Sequence, residues 1–217
     1  MRAILLCLFL LPLPARACDL ALVLAVDVSG SVDPRDFHIQ MQGLADALRD
    51  PVVSEALVRA QAAVLLLQWT GASRQEVTLP WRRIADFDAI ERLARDIETA
   101  PRRWRNFSTA IGEALAFALR QFDGGPTCAR QVIDISGDGT SNEGPPPRSV
   151  HPALAAAGVT VNALAVEATE PDLTAYFYEN VITGPGAFVA TAADYPEYPD
   201  RIRMKLRRET IARLAAQ

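Results

Sequence analysis

The chain has 217 residues, half of them apolar, and a net charge of −4. That length suits one compact domain with a full core and leaves little room for two. The composition argues against disorder, and the mild negative charge argues against a nucleic-acid binder.

Residues 1–17, MRAILLCLFLLPLPARA, read as a secretory signal. Arg2 supplies the positive start, Ala3 to Leu13 a short apolar run, and Ala15 and Ala17 the small residues before a cleavage point. The run is short for a membrane span, and Pro12, Pro14 and Arg16 would end a helix there. Lipid attachment at Cys18 is the alternative, disfavoured by the neighbouring Arg16. No later segment is apolar enough to cross a bilayer. A single domain over 18–217, periplasmic or secreted, is therefore expected. Cys7 leaves with the signal, so Cys18 and Cys128 remain as an even pair in an oxidising compartment, each just before a predicted strand.

Leu20 to Val26 is a continuous apolar run with β-branched members, the pattern of a strand buried on both faces. Asp33 and Pro34 open a helix whose Phe37, Met41, Leu44 and Leu48 keep helical spacing. Pro51 restarts the chain. Ala62 to Trp69 is a second strand, and the short turn Gly71 to Ser73 makes a third, Glu76 to Leu79, antiparallel. Asp86 to Glu98 reads as a helix, Pro101 to Phe107 as a loop, and Thr109 to Gln121 as a strongly apolar helix. A strand at Gln131 to Ile135 is followed by a loop, Gly137 to Pro147, full of turn residues. A helix (Val150 to Ala157), a strand (Val159 to Val166), a helix (Leu173 to Asn180), a strand (Ala187 to Ala190) and a helical tail from Tyr195 complete the pattern. This alternation indicates a doubly wound α/β fold: a mostly parallel sheet, helices on both faces, one antiparallel edge strand.

In such a sheet, ligands sit beyond the carboxyl ends of the strands. Asp27-Val28-Ser29-Gly30-Ser31 follows the first strand directly and sets three oxygen side chains on alternate residues of a tight turn, which Gly30 lets bend. Ser136-Gly137-Asp138-Gly139 follows the fourth strand in the same way, and Ser108-Thr109 opens the apolar helix. These are hard oxygen donors, suited to Mg²⁺, Mn²⁺ or Ca²⁺ rather than Zn²⁺ or copper. The bland reading is that Asp27 caps a turn, Thr109 caps its helix and Asp138 makes an Asx turn.

DxSxS after the first strand, a Thr opening a TxxGxAL helix, and an Asp in a DG loop after the fourth strand resemble the metal-ion-dependent adhesion site of von Willebrand factor A (VWA) domains. The segments LALVLAVDVSGSVD, QWTGASRQEVTLPWRRI and VIDISGDGTSNEG are similar to an exported bacterial branch of that fold with no assigned function. The resemblance implies a divalent cation held by Asp27, Ser29, Ser31, Thr109 and Asp138, with an open position for an Asp or Glu carboxylate of a protein partner. Ser108 stands as a substitute for Thr109, because Asn106-Phe107-Ser108 replaces a glycine pair; SGDG replaces the commoner TDG. In this fold the first and fourth strands are parallel neighbours, so Cys18 and Cys128 are expected to form a disulfide worth roughly 4–5 kcal/mol in the chain-entropy model.

Asp134 shares the face of Ser136 and Asp138 and reads either as a support of the metal site or as a buried Asp satisfied locally. Arg102, Arg103, Trp104 and Arg105 precede Thr109 and are candidates for a partner-binding rim, or an ordinary solvated loop. Trp69 and Trp81 read as packing residues. The tail cations Arg201, Arg203, Lys205, Arg207, Arg208 and Arg213 read as a solvated helix face paired with Glu209 and nearby acids. The leading function is a metal-dependent binding module without catalysis. The alternatives are a Mg²⁺-dependent hydrolase and a structural envelope protein with a vestigial site. The hydrolase would need a second carboxylate two residues after Asp27, where Ser29 stands.

Overall fold

The structure is a computed structural model that describes residues 18–211. The expected signal, residues 1–17, and Arg213 lie outside the described residues. Six strands, β1 (Cys18–Asp27), β2 (Ala63–Trp69), β3 (Gln75–Arg83), β4 (Cys128–Gly137), β5 (Val159–Val166) and β6 (Val189–Ala192), form one sheet in the order β3-β2-β1-β4-β5-β6. All neighbours are parallel except β2 and β3. The order reverses between β1 and β4, so the crevice for a ligand opens where those two strands end. Asp27 closes β1 there, and Asp138 follows the last residue of β4.

Among the described residues seven α-helices cover the sheet: α1 (Pro34–Arg49), α2 (Pro51–Arg59), α3 (Phe87–Glu98), α4 (Ile111–Arg120), α5 (His151–Ala157), α6 (Leu173–Asn180) and α7 (Tyr198–Ile211). Strand alternation divides the core in two. Leu20, Leu22, Leu24 and Val26 of β1 pack with Val64 and Leu66 against α1, α3 and α7. Ala21, Val23 and Ala25 pack with Leu65, Leu67 and Trp69 against α4 and α6. Large residues on one face and small ones on the other explain why β1 reads as an unbroken apolar run. Among the described residues, no helix is long and apolar enough to cross a membrane.

Local signals set most boundaries. Asp33 caps α1, its Oδ1 accepting from the N–H groups of Arg35 (2.6 Å) and Asp36 (2.8 Å), with Pro34 at the first turn. Pro51 does more than restart the chain: Asp50 caps a separate helix, α2, through the N–H of Val52. The third strand is longer than its alternating segment suggests, since β3 runs on through Pro80 at the sheet edge, with register shifts against β2. The last strand lies two residues later than its apolar stretch. Gly184 and Gly186 turn with positive φ, and the N–H of Phe188 is taken by Asn162 Oδ1, so sheet pairing begins at Val189.

Cys18 and Cys128 are register partners at the starts of β1 and β4, with Cα atoms 4.6 Å apart, and they are bonded as a disulfide across 110 residues of sequence.

The tail departs from a plain solvated face. Arg201 pairs with Glu197, Arg203 with Asp200 and Arg207 with the buried Asp50, and all three arginines are partly exposed. Lys205 instead points into the core, its side chain fully buried, with Nζ 2.5 Å from Asp134 Oδ1 and 2.8 Å from Glu209 Oε1. Asn162 Nδ2 donates to the same Glu209 oxygen (2.8 Å). The α7 stripe of Tyr198, Ile202 and Leu206 faces the sheet, and Lys205 lies beside it on the same buried side. Asp134 Oδ1 is therefore held by an ion pair from α7, away from the metal-site loops, while its Oδ2 is buried without a hydrogen-bond partner among the described residues.

Candidate metal centre

Three loops meet at the carboxyl ends of β1 and β4. In the first, the Ser29 N–H donates to Asp27 Oδ1 (2.7 Å), which folds the DxSxS segment back on itself. Gln40 Nε2 of α1 donates to the Asp27 carbonyl (3.2 Å), and Val28 N–H donates to the Trp69 carbonyl (2.9 Å), so the turn is held from both sides. Ser29 Oγ and Ser31 Oγ are 3.2 Å apart, and Ser31 Oγ donates to Asp138 Oδ1 at 2.6 Å. Tyr195, in the turn that leads into α7, donates its hydroxyl to Asp138 Oδ2 (2.8 Å). Asp27, Ser29, Asp138 and Thr109 are buried, while Ser31 is exposed at the mouth.

Thr109 does not cap its helix. The cap position of α4 is Ala110, with no side-chain hydrogen bond, and the helix begins at Ile111, two residues later than the apolar pattern suggests. Side chains of the third loop take up two N–H groups beside this helix start: Asn142 Oδ1 accepts from Thr109 N–H (2.9 Å) and Ser141 Oγ from Ile111 N–H (3.2 Å). The Thr109 carbonyl in turn accepts from the N–H groups of Asn142 and Glu143. The hydroxyl of Thr109 is thereby free to face the third loop, where Oγ1 stands 3.9 Å from the point a side chain on Gly139 would occupy. Ser108, the substitute, is exposed, and its carbonyl accepts from Thr70 Oγ1 (2.9 Å).

The electrostatics are unfavourable for the protein alone. Burial, and then the neighbouring Asp138, push Asp27 up from an ordinary 3.8 to about 8. Burial likewise raises Asp138, against the hydrogen bonds from Ser31 and Tyr195. Burial and the Asp138 charge push the Tyr195 phenol far up, so it stays a donor. Asp27 Oδ2 is buried without any hydrogen-bond partner among the described residues, beneath Gly137, where a Cβ would come within 3.1 Å of it. An orphaned carboxylate oxygen beside a second buried carboxylate and three hydroxyls is what a divalent cation would satisfy. Among the described residues no group of three or more His, Cys, Asp or Glu could hold a metal ion, so a cation here would rely on the hydroxyls. The donor set therefore fits a hard divalent ion, with Asp27, Ser29, Ser31, Thr109 and Asp138 as the groups that would hold it.

The basic-aromatic loop lies at this mouth. Gly30 N–H donates to the Phe107 carbonyl (2.8 Å), joining the first loop to it. Arg102 is a strut: its Nη2 donates to the carbonyls of Val28 (3.0 Å) and Ser29 (2.8 Å), and its Nε to the Trp104 carbonyl. The buried amide of Gln68 pins the same loop, donating to the Pro101 carbonyl and accepting from Arg103 N–H. Arg103 pairs with Glu76 (3.0 Å), Trp104 is half-buried, and Arg105 is exposed. Phe107 is partly exposed, with the Arg74 guanidinium 3.9 Å over its ring. Gln68, Asn142 and Tyr195 carry no sequence signal of their own; each acts from an element remote in sequence.

A family model described as "Protein of unknown function (DUF1194)" matches residues 17–214. The chain belongs to the DUF1194 family. Its solved structural neighbours are VWA domains, and the fold is a VWA fold. One is proximal thread matrix protein 1 from the mussel byssus with a zinc-occupied MIDAS motif, 20% identical, covering 88% of this chain and 48% of that chain at TM-score 0.64. Another is a von Willebrand factor type A protein from Catenulispora acidiphila, 18% identical, covering 89% of this chain and 43% of that one at TM-score 0.59. A third is the pilus adhesin SpaC from Lactobacillus rhamnosus GG, 11% identical, covering 91% of this chain and 31% of that one at TM-score 0.63. The chain thus spans about half the length of the first of these proteins, or less. A search of the curated proteins found no match.

Proposed function

We propose that this protein is an exported, metal-ion-dependent binding module that captures an acidic group of a protein partner through a divalent cation. The observation that carries the reading is the pair of buried carboxylates, Asp27 and Asp138, one with an orphaned oxygen, set among the hydroxyls of Ser29, Ser31 and Thr109. Uncompensated, such burial is costly, which argues against a vestigial site. Hydroxyl donors are neutral, so a bound ion would keep much of its charge and attract an outside carboxylate. The exposed Arg105, the half-buried Trp104 and Phe107 would add a cationic and aromatic border suited to an acidic partner. We take the ion to be Mg²⁺, Mn²⁺ or Ca²⁺ from the oxygen donors. The zinc in the MIDAS of the byssus protein shows that such a motif in that protein also admits a softer ion.

Binding rather than catalysis is favoured because Ser29 stands where an Asp-nucleophile hydrolase needs its general acid. The disulfide supports an oxidising compartment, periplasmic or outside the cell. The test is a titration of EDTA-treated protein with glutarate, with and without Mg²⁺, read by NMR. Metal-dependent, saturable shifts at Ser31, Thr109 and Gly139 support the reading. Shifts that are unaffected by Mg²⁺, or none at all in a folded protein, overturn it.

A further inference from the structure

Among the described residues the sheet ends at β6, and that edge is open. The Ala163 N–H donates to the Phe188 carbonyl (3.0 Å) and the Glu167 N–H to the Ala192 carbonyl (2.9 Å), so Phe188, Ala190 and Ala192 turn their backbone groups toward β5. By strand alternation Val189 and Thr191 turn their N–H and C=O groups the other way, where no described strand follows. The Thr191 hydroxyl meets that of Thr174 on α6 (2.7 Å), and the Arg208 guanidinium of α7 lies 3.8 Å over the Phe188 ring, so a helix stands on each side of the edge. A cavity of about 610 Å³ reaches from α6 to Arg208. Its apolar wall is made by Ala175, Tyr178, Phe188 and Val189, with Tyr178 68% exposed. Its acidic rim is Glu167, Asp172 and Glu179, and among the described residues no Lys or Arg pairs with them. Hydrogen bonds from Thr174, from its hydroxyl and then its N–H (3.0 Å), hold the Glu167 carboxyl below its usual range and so charged at neutral pH. The groove runs on past Tyr178 and Glu179 into a second cavity of about 440 Å³ beside Ile182 and Gly184.

We propose that this groove takes an extended segment of a partner protein that carries Lys or Arg, and that the segment adds to the sheet as a further strand beside β6. The outward N–H and C=O groups of Val189 and Thr191 supply the hydrogen bonds of such a strand without rearrangement of β6. Alternate side chains of the incoming strand fall on opposite faces. Those on the α6 side meet Ala175 and Tyr178, with Asp172 and Glu179 at the margin for a cation. The acids set the sign of the guest: Glu167, Asp172 and Glu179 outweigh Arg208, whose charge is spent over the Phe188 ring. The same acids disfavour a second copy of this chain, because pairing two β6 edges would bring two acidic rims together. So short an edge offers few hydrogen bonds, and the contacts with Tyr178 and the acids must supply much of the affinity. The groove uses none of the five candidate metal donors, so it stands or falls apart from the cation.

The probes are acetylated hexapeptides that alternate Lys with Val, Ile, Phe or Tyr, titrated by NMR into the full mature chain in EDTA. At least one binds saturably and slows hydrogen exchange at the Val189 and Thr191 amides. Methylating the peptide's backbone nitrogens at alternate residues, Lys in one set and the apolar residue in the other, weakens binding roughly tenfold or more in one set only, because only one edge of the guest faces β6. Replacing Lys by Glu abolishes binding. In a double variant, Asp172→Lys with Glu179→Lys, the Lys peptides bind roughly tenfold more weakly or worse, while the amide spectrum away from the groove is unchanged. Absence of binding by every peptide, equal binding of the parent and both methylated sets, or protection confined to other parts of the chain overturns the proposal. Unchanged affinity in the folded double variant overturns the basic partner. A dimer of the chain alone, seen in sedimentation and protecting the same two amides, assigns the edge to a second copy and likewise overturns it.

Discussion

Substituting Glu209 by Gln should make the protein more stable, although the change removes a charged partner of Lys205. The Lys205 ammonium faces two buried carboxyl groups, Asp134 and Glu209. One cation does not balance two anions in the core, and burial, followed by Asp134, pushes Glu209 up from 4.5 to about 8. Glu209 therefore holds its proton at neutral pH. The oxygens Glu209 Oε2 and Asp134 Oδ2, both buried and otherwise unpartnered, are reconciled when that proton lies between them. A folded-state value raised above the unfolded one contributes its stability fully below about pH 4.5 and loses it as the pH rises through about 8. Keeping the proton at pH 7 costs at most about 3 kcal/mol, allowing for relaxation of the site. The Glu209→Gln side chain carries no such cost. Its amide can donate to Asp134 Oδ2 and accept from Lys205 and Asn162, as Glu209 Oε1 does now. The expected gain is about 1–3 kcal/mol at pH 7.5, roughly 3–10 °C in Tm for a domain of this size, shrinking below about 1 kcal/mol near pH 5. Urea and thermal unfolding of both proteins across that range measure it. A Glu209→Gln protein that is less stable at pH 7.5, or a difference that does not grow with pH, refutes the reasoning. Lys205→Met is the reverse control: two buried carboxyls lose their cation, and a loss of about 3–5 kcal/mol is expected.

Replacing both Cys18 and Cys128 by Ser should lower stability by about 4–5 kcal/mol in urea unfolding, since the bridge closes a long loop; no loss would mean that the reduced chain is already held by the sheet. Gly137→Ala puts a Cβ about 3.1 Å from Asp27 Oδ2 and 3.4 Å from Trp69. It should cost about 1–3 kcal/mol by overpacking and weaken Mn²⁺ binding with no donor removed, which calorimetry would register. Tyr195→Phe strips Asp138 Oδ2 of its donor. In EDTA that should cost about 1–3 kcal/mol, while the rise in Tm on adding Mn²⁺ grows, because the ion then relieves an oxygen that nothing else serves. An unchanged Mn²⁺-induced rise would contradict the role given to Tyr195.

Much of this architecture is legible in the chain because its signals are local. The apolar run of β1, the Asp33-Pro34 and Asp86 caps and the turn residues after β4 each fix an element from neighbouring residues. Asp27, Ser29, Ser31 and Asp138 are readable for the same reason: each directly follows a strand that the pattern already marks. What escapes is long-range. Lys205 looks like a member of a basic tail until α7 is laid on β4, where Asp134 waits for it. Thr109 looks like a helix cap until the fold starts the helix at Ile111 and ties the segment before it to Asn142 and Ser141 of the third loop. Tyr195 reaches Asp138 from an element with no motif, and only the folded sheet brings it there. The two-residue offset of β6 likewise comes from Asn162 on β5, which claims the Phe188 N–H before pairing starts.

Oxygens from three separate loops should together take up a single divalent ion. Isothermal calorimetry of Mn²⁺ into EDTA-stripped, folded protein tests this directly, with Asp27→Ala as the comparison. The expected result is saturable binding of one ion per chain that disappears in Asp27→Ala. Absence of binding to the unmodified chain, or equal binding to both, would contradict the account.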